Sequence, residues 1–122
     1  MPNVARVLIY GLDPLLLGTR SQVLSRAGFH VSAISEMEDL YQLHAEKIKV
    51  LVLCHTIRPA EQQAAIRIGR NANPRLQTVV MTAFAPEFLA EPDARFVSAF
   101  DGPLTLIAQV RQAAAASVSL TV

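Results

Sequence analysis

Cys54 and His55 stand side by side, and a thiol next to an imidazole is a pairing from which nucleophilic catalysis can be built. They follow Val50-Leu51-Val52-Leu53, whose unbroken apolar character is that of a strand covered on both faces. Successive strand residues point to opposite faces, so the two side chains can share a proton only if the strand has already ended. No third residue is evident to orient the imidazole, and a buried, inert cysteine at a strand end is the simpler reading. A redox-sensing thiol is the functional alternative. His30 and His44 are isolated, and one cysteine without clustered partners offers no zinc site. The phosphate-binding motifs are absent as well. Gly11 and Gly18 do not form the dinucleotide pattern G-x-G-x-x-G, and neither a Gly-Lys-Ser/Thr loop nor a G-x-S-x-G elbow occurs. No catalytic residue, metal or cofactor is assigned, and the chain is not expected to be an enzyme.

The elements around these residues decide where they sit. With 122 residues, 52% hydrophobic and 17% charged, the chain has the length of one domain and enough apolar material for a core. Apolar runs of strand length alternate with segments of helical spacing. The first strand spans Val4 to Tyr10; Gly11-Leu12-Asp13-Pro14 then supplies a tight loop, an Asp N-cap and a proline at the first helical position. That helix runs to Gly28, placed as its C′ residue, with Leu16, Leu17, Val23, Leu24 and Ala27 largely on one face. Phe29 to Ile34 is the second strand. Ser35-Glu36-Met37-Glu38 has the spacing of a capping box and opens a helix to about Ala45.

Ile48 to Cys54 forms the third strand, and a helix from Ala60 to about Gly69 ends at Asn71, Asn73 and Pro74. Leu76 to Thr82 and Arg95 to Phe100 are the last two strands, separated by a short helix between Pro86 and Pro92. Pro103 to about Ala116 is the final helix, and 116–122 is expected to fray. Five βα repeats with right-handed crossovers give a three-layer α/β fold, with helices on both faces of a parallel sheet of flavodoxin-like order 2-1-3-4-5. One domain over 1–122 is expected. Ligands of such sheets bind outside the strands' C-terminal ends, which here carry Gly11, Leu12, Asp13, Cys54, His55, Thr82 and Gly102. A small-ligand or redox-sensing pocket around Cys54 and His55 is therefore the alternative reading.

The succession of motifs resembles a response-regulator receiver (CheY-like) domain along nearly the whole chain. Val7-Leu8-Ile9-Tyr10-Gly11-Leu12-Asp13-Pro14-Leu15-Leu16 is similar to the family's opening strand, acidic cluster and apolar helix. Leu24-Ser25-Arg26-Ala27-Gly28-Phe29 resembles the end of its first helix. Val50 through Pro59 resembles the third strand and following loop, Val79-Val80-Met81-Thr82-Ala83 the fourth strand, and Gly102-Pro103-Leu104 the Lys-Pro step before the last helix. The resemblance implies a pocket in which carboxylates hold Mg²⁺, an Asp accepts a phosphoryl group and a Lys binds its oxygens. In this chain the acidic pair is Gly11-Leu12, with only Asp13 remaining beside it. The acceptor position is Cys54, or His55 when counted back from Pro59. The Lys is Gly102, and the aromatic of the fifth strand is Ala99. Thr82 alone is retained.

A degenerate receiver, not phosphorylated by the family's mechanism, is thus expected to act through protein contacts in bacterial, two-component-type signalling in the cytoplasm. A homodimer through the face formed by the fourth helix, fifth strand and fifth helix is the expected association, with Phe84, Phe88, Leu89, Phe96, Ile107, Val110 and Arg111 as its surface. A net charge of +1 with scattered Lys and Arg argues against direct nucleic-acid binding. No apolar run approaches the roughly 20 residues of a membrane span, and Met1-Pro2-Asn3-Val4-Ala5-Arg6 does not read as a signal peptide.

Overall fold

A computed structural model describes residues 5–41, 47–83 and 95–119, with side chains to residue 116. Five parallel strands form one sheet: β1 (Arg6–Tyr10), β2 (His30–Ile34), β3 (Val50–Leu53), β4 (Gln77–Thr82) and β5 (Arg95–Ser98), in the order β2-β1-β3-β4-β5. Among the described residues three α-helices accompany them: α1 (Pro14–Arg26), α2 (Pro59–Ala72) and α3 (Pro103–Ser119). This is the flavodoxin-like arrangement expected from the sequence.

Strand alternation divides the core in two. Val7, Ile9, Val50, Val52, Val79, Met81 and Val97 face α1 and α3, where Leu17, Leu24, Leu106 and Val110 meet them. Leu8, Tyr10, Leu51, Leu53 and Val80 face the other way, toward Ala65 and Ile66 of α2. A sheet buried on both faces explains why β1 and β3 read as continuous apolar runs.

Local chemistry sets the helix ends. Asp13 Oδ1 accepts from the backbone amides of Leu15 (3.0 Å) and Leu16 (3.2 Å), and Pro14 fills the position whose N–H would have no partner. At the other end Gly28 has φ 104°, the Gly28 amide donates to Ser25 O and the Phe29 amide to Leu24 O. This paired closure is a Schellman motif, which needs a residue at ease with positive φ.

Several boundaries differ from expectation. Instead of a helix from Ser35, a 3-10 turn spans Met37–Tyr41, and 42–46 lie outside the described residues. Three residues per turn align Met37 with Leu40 against the core and turn Tyr41 outward. α2 continues through Asn71 to Ala72 and stops at Asn73, whose side chain donates to Ile48 O and accepts from the Arg75 amide. β5 ends at Ser98, two residues early, because Ser98 Oγ accepts from the Phe100 amide and closes a turn. α3 runs to Ser119, beyond the expected fraying point. The short helix expected between Pro86 and Pro92 lies outside the described residues.

Candidate functional site

The C-terminal ends of β1 and β3 meet at Gly11 and Cys54. Tyr10 pairs with Leu53 in the parallel register, so the next residues, Gly11 and Cys54, are neighbours on the face toward α1. A Cβ at Gly11 would lie 2.9 Å from Cys54 Sγ and 3.1 Å from Cys54 Cβ. The space a carboxylate would need at position 11 is taken by the thiol. Cys54 is 1% exposed and belongs to the core. Burial pushes its thiol pKa up, while a side-chain hydrogen bond with Arg20 and the charge of Arg20 pull the other way; burial prevails, so the neutral SH form is favoured.

Arg20 enters this site from α1. Its Nη2 lies 3.3 Å from His55 Nδ1. A guanidinium can only donate, so Nδ1 accepts and the half-buried His55 is a neutral imidazole with its proton on Nε2. Burial, and then the adjacent Arg20 charge, hold the His55 pKa below its usual value, with Asp13 opposing. Arg20 Nη1 is buried without a hydrogen-bond partner.

The surrounding loops are tied to one another. The Leu12 amide donates to Thr56 Oγ1 at 3.0 Å, joining the β1–α1 and β3–α2 loops. Gln62, 3% exposed on α2, donates through Nε2 to Cys54 O at 3.0 Å and Met81 O at 3.3 Å, fastening the ends of β3 and β4. Thr82 ends β4 half-buried, its carbonyl accepting from the Ala99 amide. Gly102 precedes α3 with φ 85°, and a Cβ there would meet nothing within 4 Å. Beside it, a cavity of about 190 Å³ separates α1 from α3; Leu16, Thr19, Arg20 and Val23 line one wall, with Met81, Ala99, Gly102, Pro103 and Leu106 opposite.

The expected residues therefore gather around two contacts, Gly11 with Cys54 and His55 with Arg20, while Asp13 spends its carboxylate on the helix cap and Gly102 borders the cavity. Among the described residues no three His, Cys, Asp or Glu side chains converge as a metal site would need. Arg20, Thr56 and Gln62 were not singled out by sequence. A signal for Arg20 was present, since it interrupts the apolar face of Leu16, Leu17, Val23 and Leu24. Of the expected contact surface, Phe84, Phe88 and Leu89 lie outside the described residues. Val110 is a correction: it is fully buried against the sheet, because helical spacing places it with Leu106 and Ala113 on the inner face. Phe96 and Ile107 are partly buried against the core, and exposed Arg111 donates to Ala27 O. Large exposed apolar side chains stand instead at Leu12, Leu15, Phe100 and Leu104.

The chain is similar in structure to a response regulator receiver protein from Sinorhizobium medicae WSM419, with a TM-score of 0.81, 21% identity, and coverage of 94% of this chain and 98% of that one. It is similar to a CheY-like receiver domain protein from Methanospirillum hungatei JF-1 at TM-score 0.83 and 15% identity, covering 96% of this chain and 98% of that one. A signal receiver domain of an HD domain-containing protein from Pseudomonas fluorescens Pf-5 gives 0.81 and 15%, covering 99% of this chain and 94% of that one. No family model and no curated protein matches the sequence. The fold is that of CheY-like receivers.

Proposed function

We propose that this chain, one domain over residues 1–122, is a phosphorylation-independent receiver-like module that signals through protein contacts in the bacterial cytoplasm. The observation that carries this reading is the pair of contacts at the ends of β1 and β3. Cys54 Sγ occupies the space beside Gly11, and the Arg20 guanidinium sits against His55. Mg²⁺ is a hard cation that requires oxygen ligands, and a fixed guanidinium has the wrong charge to share its site. Neither thiol nor imidazole forms an acyl phosphate, and Gly102 offers no ammonium to a phosphoryl oxygen. Burial of Cys54 and its raised pKa weigh against the redox-sensing alternative.

The partner is a protein, with a second copy of the chain as one form of association. After the loss of Val110, the contact face retains Phe96, Ile107 and Arg111, and it is extended by Phe100 and Leu104, 80% and 79% exposed. Direct nucleic-acid binding is not proposed, given the net charge of +1. Membrane insertion is not proposed either, and among the described residues no helix is long and apolar enough to cross a membrane. The test is incubation with acetyl phosphate and Mg²⁺ followed by intact-mass measurement. The mass is expected to stay unchanged, and stoichiometric gain of one phosphoryl group would overturn the reading.

A further inference from the structure

Strand direction sorts the charge of this chain. Because the five strands are parallel, all of them start at one end of the molecule, and Lys and Arg residues that are scattered in sequence gather there. Arg6 and Arg95 open β1 and β5, Lys49 directly precedes β3, and Arg75 lies in the turn before β4. Backbone contacts tie these positions into one surface. The Lys49 amide donates to Arg6 O at 2.9 Å and the Gln77 amide to Lys49 O at 3.0 Å, while Asn73, two residues from Arg75, reaches Ile48 O. The helices return the other way, which brings Arg26 and Arg70, in the last turns of α1 and α2, to the same end. Among the described residues no Asp or Glu stands there.

The acids lie at the opposite end. Glu36, Glu38 and Asp39 follow β2, Glu61 sits in the first turn of α2, and Asp101 lies just before α3. Their convergence is felt at Tyr10, whose pKa is pushed up by burial and then by the charges of Glu61, Glu38 and Glu36. Arg58 is an exposed cation at this end, and Arg20 is turned inward onto His55. Acids at helix starts and bases at helix ends answer the helix macrodipoles, which accounts for Glu61, Arg26 and Arg70. It does not account for Arg6, Lys49, Arg75 and Arg95, which belong to strands and to the turns before them. The net charge of +1 therefore conceals a basic end and an acidic end. The acidic end also carries Leu12, Leu15, Phe100 and Leu104, all large, apolar and exposed.

We infer that this chain binds a second copy of itself head to tail, with the acidic end of one copy, including Phe100 and Leu104, seated on the basic end of the next. Charge selects this pairing. A two-fold contact between identical ends sets acids against acids or cations against cations, whereas a head-to-tail contact sets Glu38 and Asp101 against the end that carries Lys47 and Arg75. Guanidinium groups there also suit Phe100, since the face of an aromatic ring attracts a cation. The two ends are on opposite sides of the molecule, so the contact does not close on itself and copies add in an open row. The inference rests on the reading of Phe100 and Leu104 as contact residues, and it names the surface that they meet.

The test is sedimentation equilibrium of the full chain at about 0.1 M and about 1 M NaCl, between which the screening length falls from about 10 Å to about 3 Å. At the lower salt the wild type is expected to grow beyond twice 13.3 kDa with concentration, and at the higher salt to associate at least tenfold more weakly. Glu38→Lys with Asp101→Lys reverses charge at one end, and Lys47→Glu with Arg75→Glu at the other. All four side chains are exposed, so the far-UV spectrum should be retained. Each double variant alone should associate at least tenfold more weakly than the wild type. An equimolar mixture of the two should recover association, because one keeps its acidic end and the other its basic end. Undiminished association of the Lys47→Glu, Arg75→Glu variant would overturn the inference and leave the contact reading of Phe100 and Leu104 in place, since a two-fold contact through those residues makes no use of the basic end. A mixture no larger than its separate components would overturn it too, as would a wild-type mass that stops at two copies or ignores salt. A wild type that stays at 13.3 kDa under every condition would remove self-association itself.

Discussion

At the scale of single residues, the ends of β1 and β3 hold a packed thiol and one cation set against an imidazole. Cys54 is enclosed, and burial raises its pKa, which favours the neutral thiol. A thiol-titrating disulfide reagent should leave the native protein unlabelled and react with one equivalent after denaturation; rapid native labelling would show an accessible thiolate. His55 behaves oppositely. Its pKa is lowered by burial and by Arg20, so the unfolded chain takes up a proton before the folded one as pH falls. The stability it contributes is complete above the unfolded value of 6.5 and is lost as pH drops from there through the folded value. The urea midpoint of the wild type should therefore fall between about pH 7 and about pH 5 more steeply than that of His55→Gln. Equal slopes would mean that folding does not lower the His55 pKa. Gly11 is the steric counterpart: Gly11→Ala pushes a methyl against Cys54 Sγ and should destabilise by about 1–3 kcal/mol. Adding Cys54→Ala should recover part of that loss in a double-mutant cycle, whereas strict additivity would show that the two side chains do not meet.

At the scale of elements, most of the fold was legible because two periodicities carry it. Doubly covered strands leave unbroken apolar runs such as Val7-Leu8-Ile9-Tyr10, and Asp13-Pro14 and Gly28 mark the ends of α1 by capping geometry that only a few residue types satisfy. Asp13→Ala should accordingly cost about 1 kcal/mol in a urea titration, while Asp13→Asn keeps an acceptor and loses little. A loss for Asn as large as that for Ala would mean that the carboxylate's charge, rather than its cap, matters. Two boundaries that sequence missed are set by side-chain bonds to backbone, one distant and one local. Asn73 stops α2 by reaching Ile48 O, and Ser98 ends β5 by folding back on Phe100, neither of which periodicity encodes. The site was legible by position and not by content. Parallel register places Gly11 beside Cys54 once β1 and β3 are recognised, but the guanidinium there comes from α1, and its role emerges only when the helix packs on the sheet. Gln62 was hidden for the same reason, as a polar residue buried by the two carbonyls it serves.

At the scale of the whole molecule, the distribution of apolar surface bears on association. Among the described residues the sheet packs against α1 and α3 on one side and against α2 on the other. Val110 shows how a helix can satisfy its apolar stripe internally, facing Leu106 and Ala113 toward the sheet. Phe100 and Leu104 are different, for they precede or begin α3 and project into solvent beside β5. Two large side chains so exposed add to water contact without contributing to the core, and their burial in a dimer would offset part of the entropy lost on association. Light scattering across a dilution series should then give a mass rising above 13.3 kDa with concentration. Acetyl phosphate and Mg²⁺ should not change that curve, because the module proposed above signals without phosphoryl transfer. Leu104→Glu introduces charge at an outward position that contributes nothing to the core, so the far-UV spectrum should be retained while the mass returns to 13.3 kDa at every concentration. If the variant associates as the wild type does, the face is assigned wrongly. If the phosphodonor alone shifts the mass, the site at Gly11, Cys54 and Gly102 is chemically competent after all, and the association belongs to a phosphorylation-driven switch.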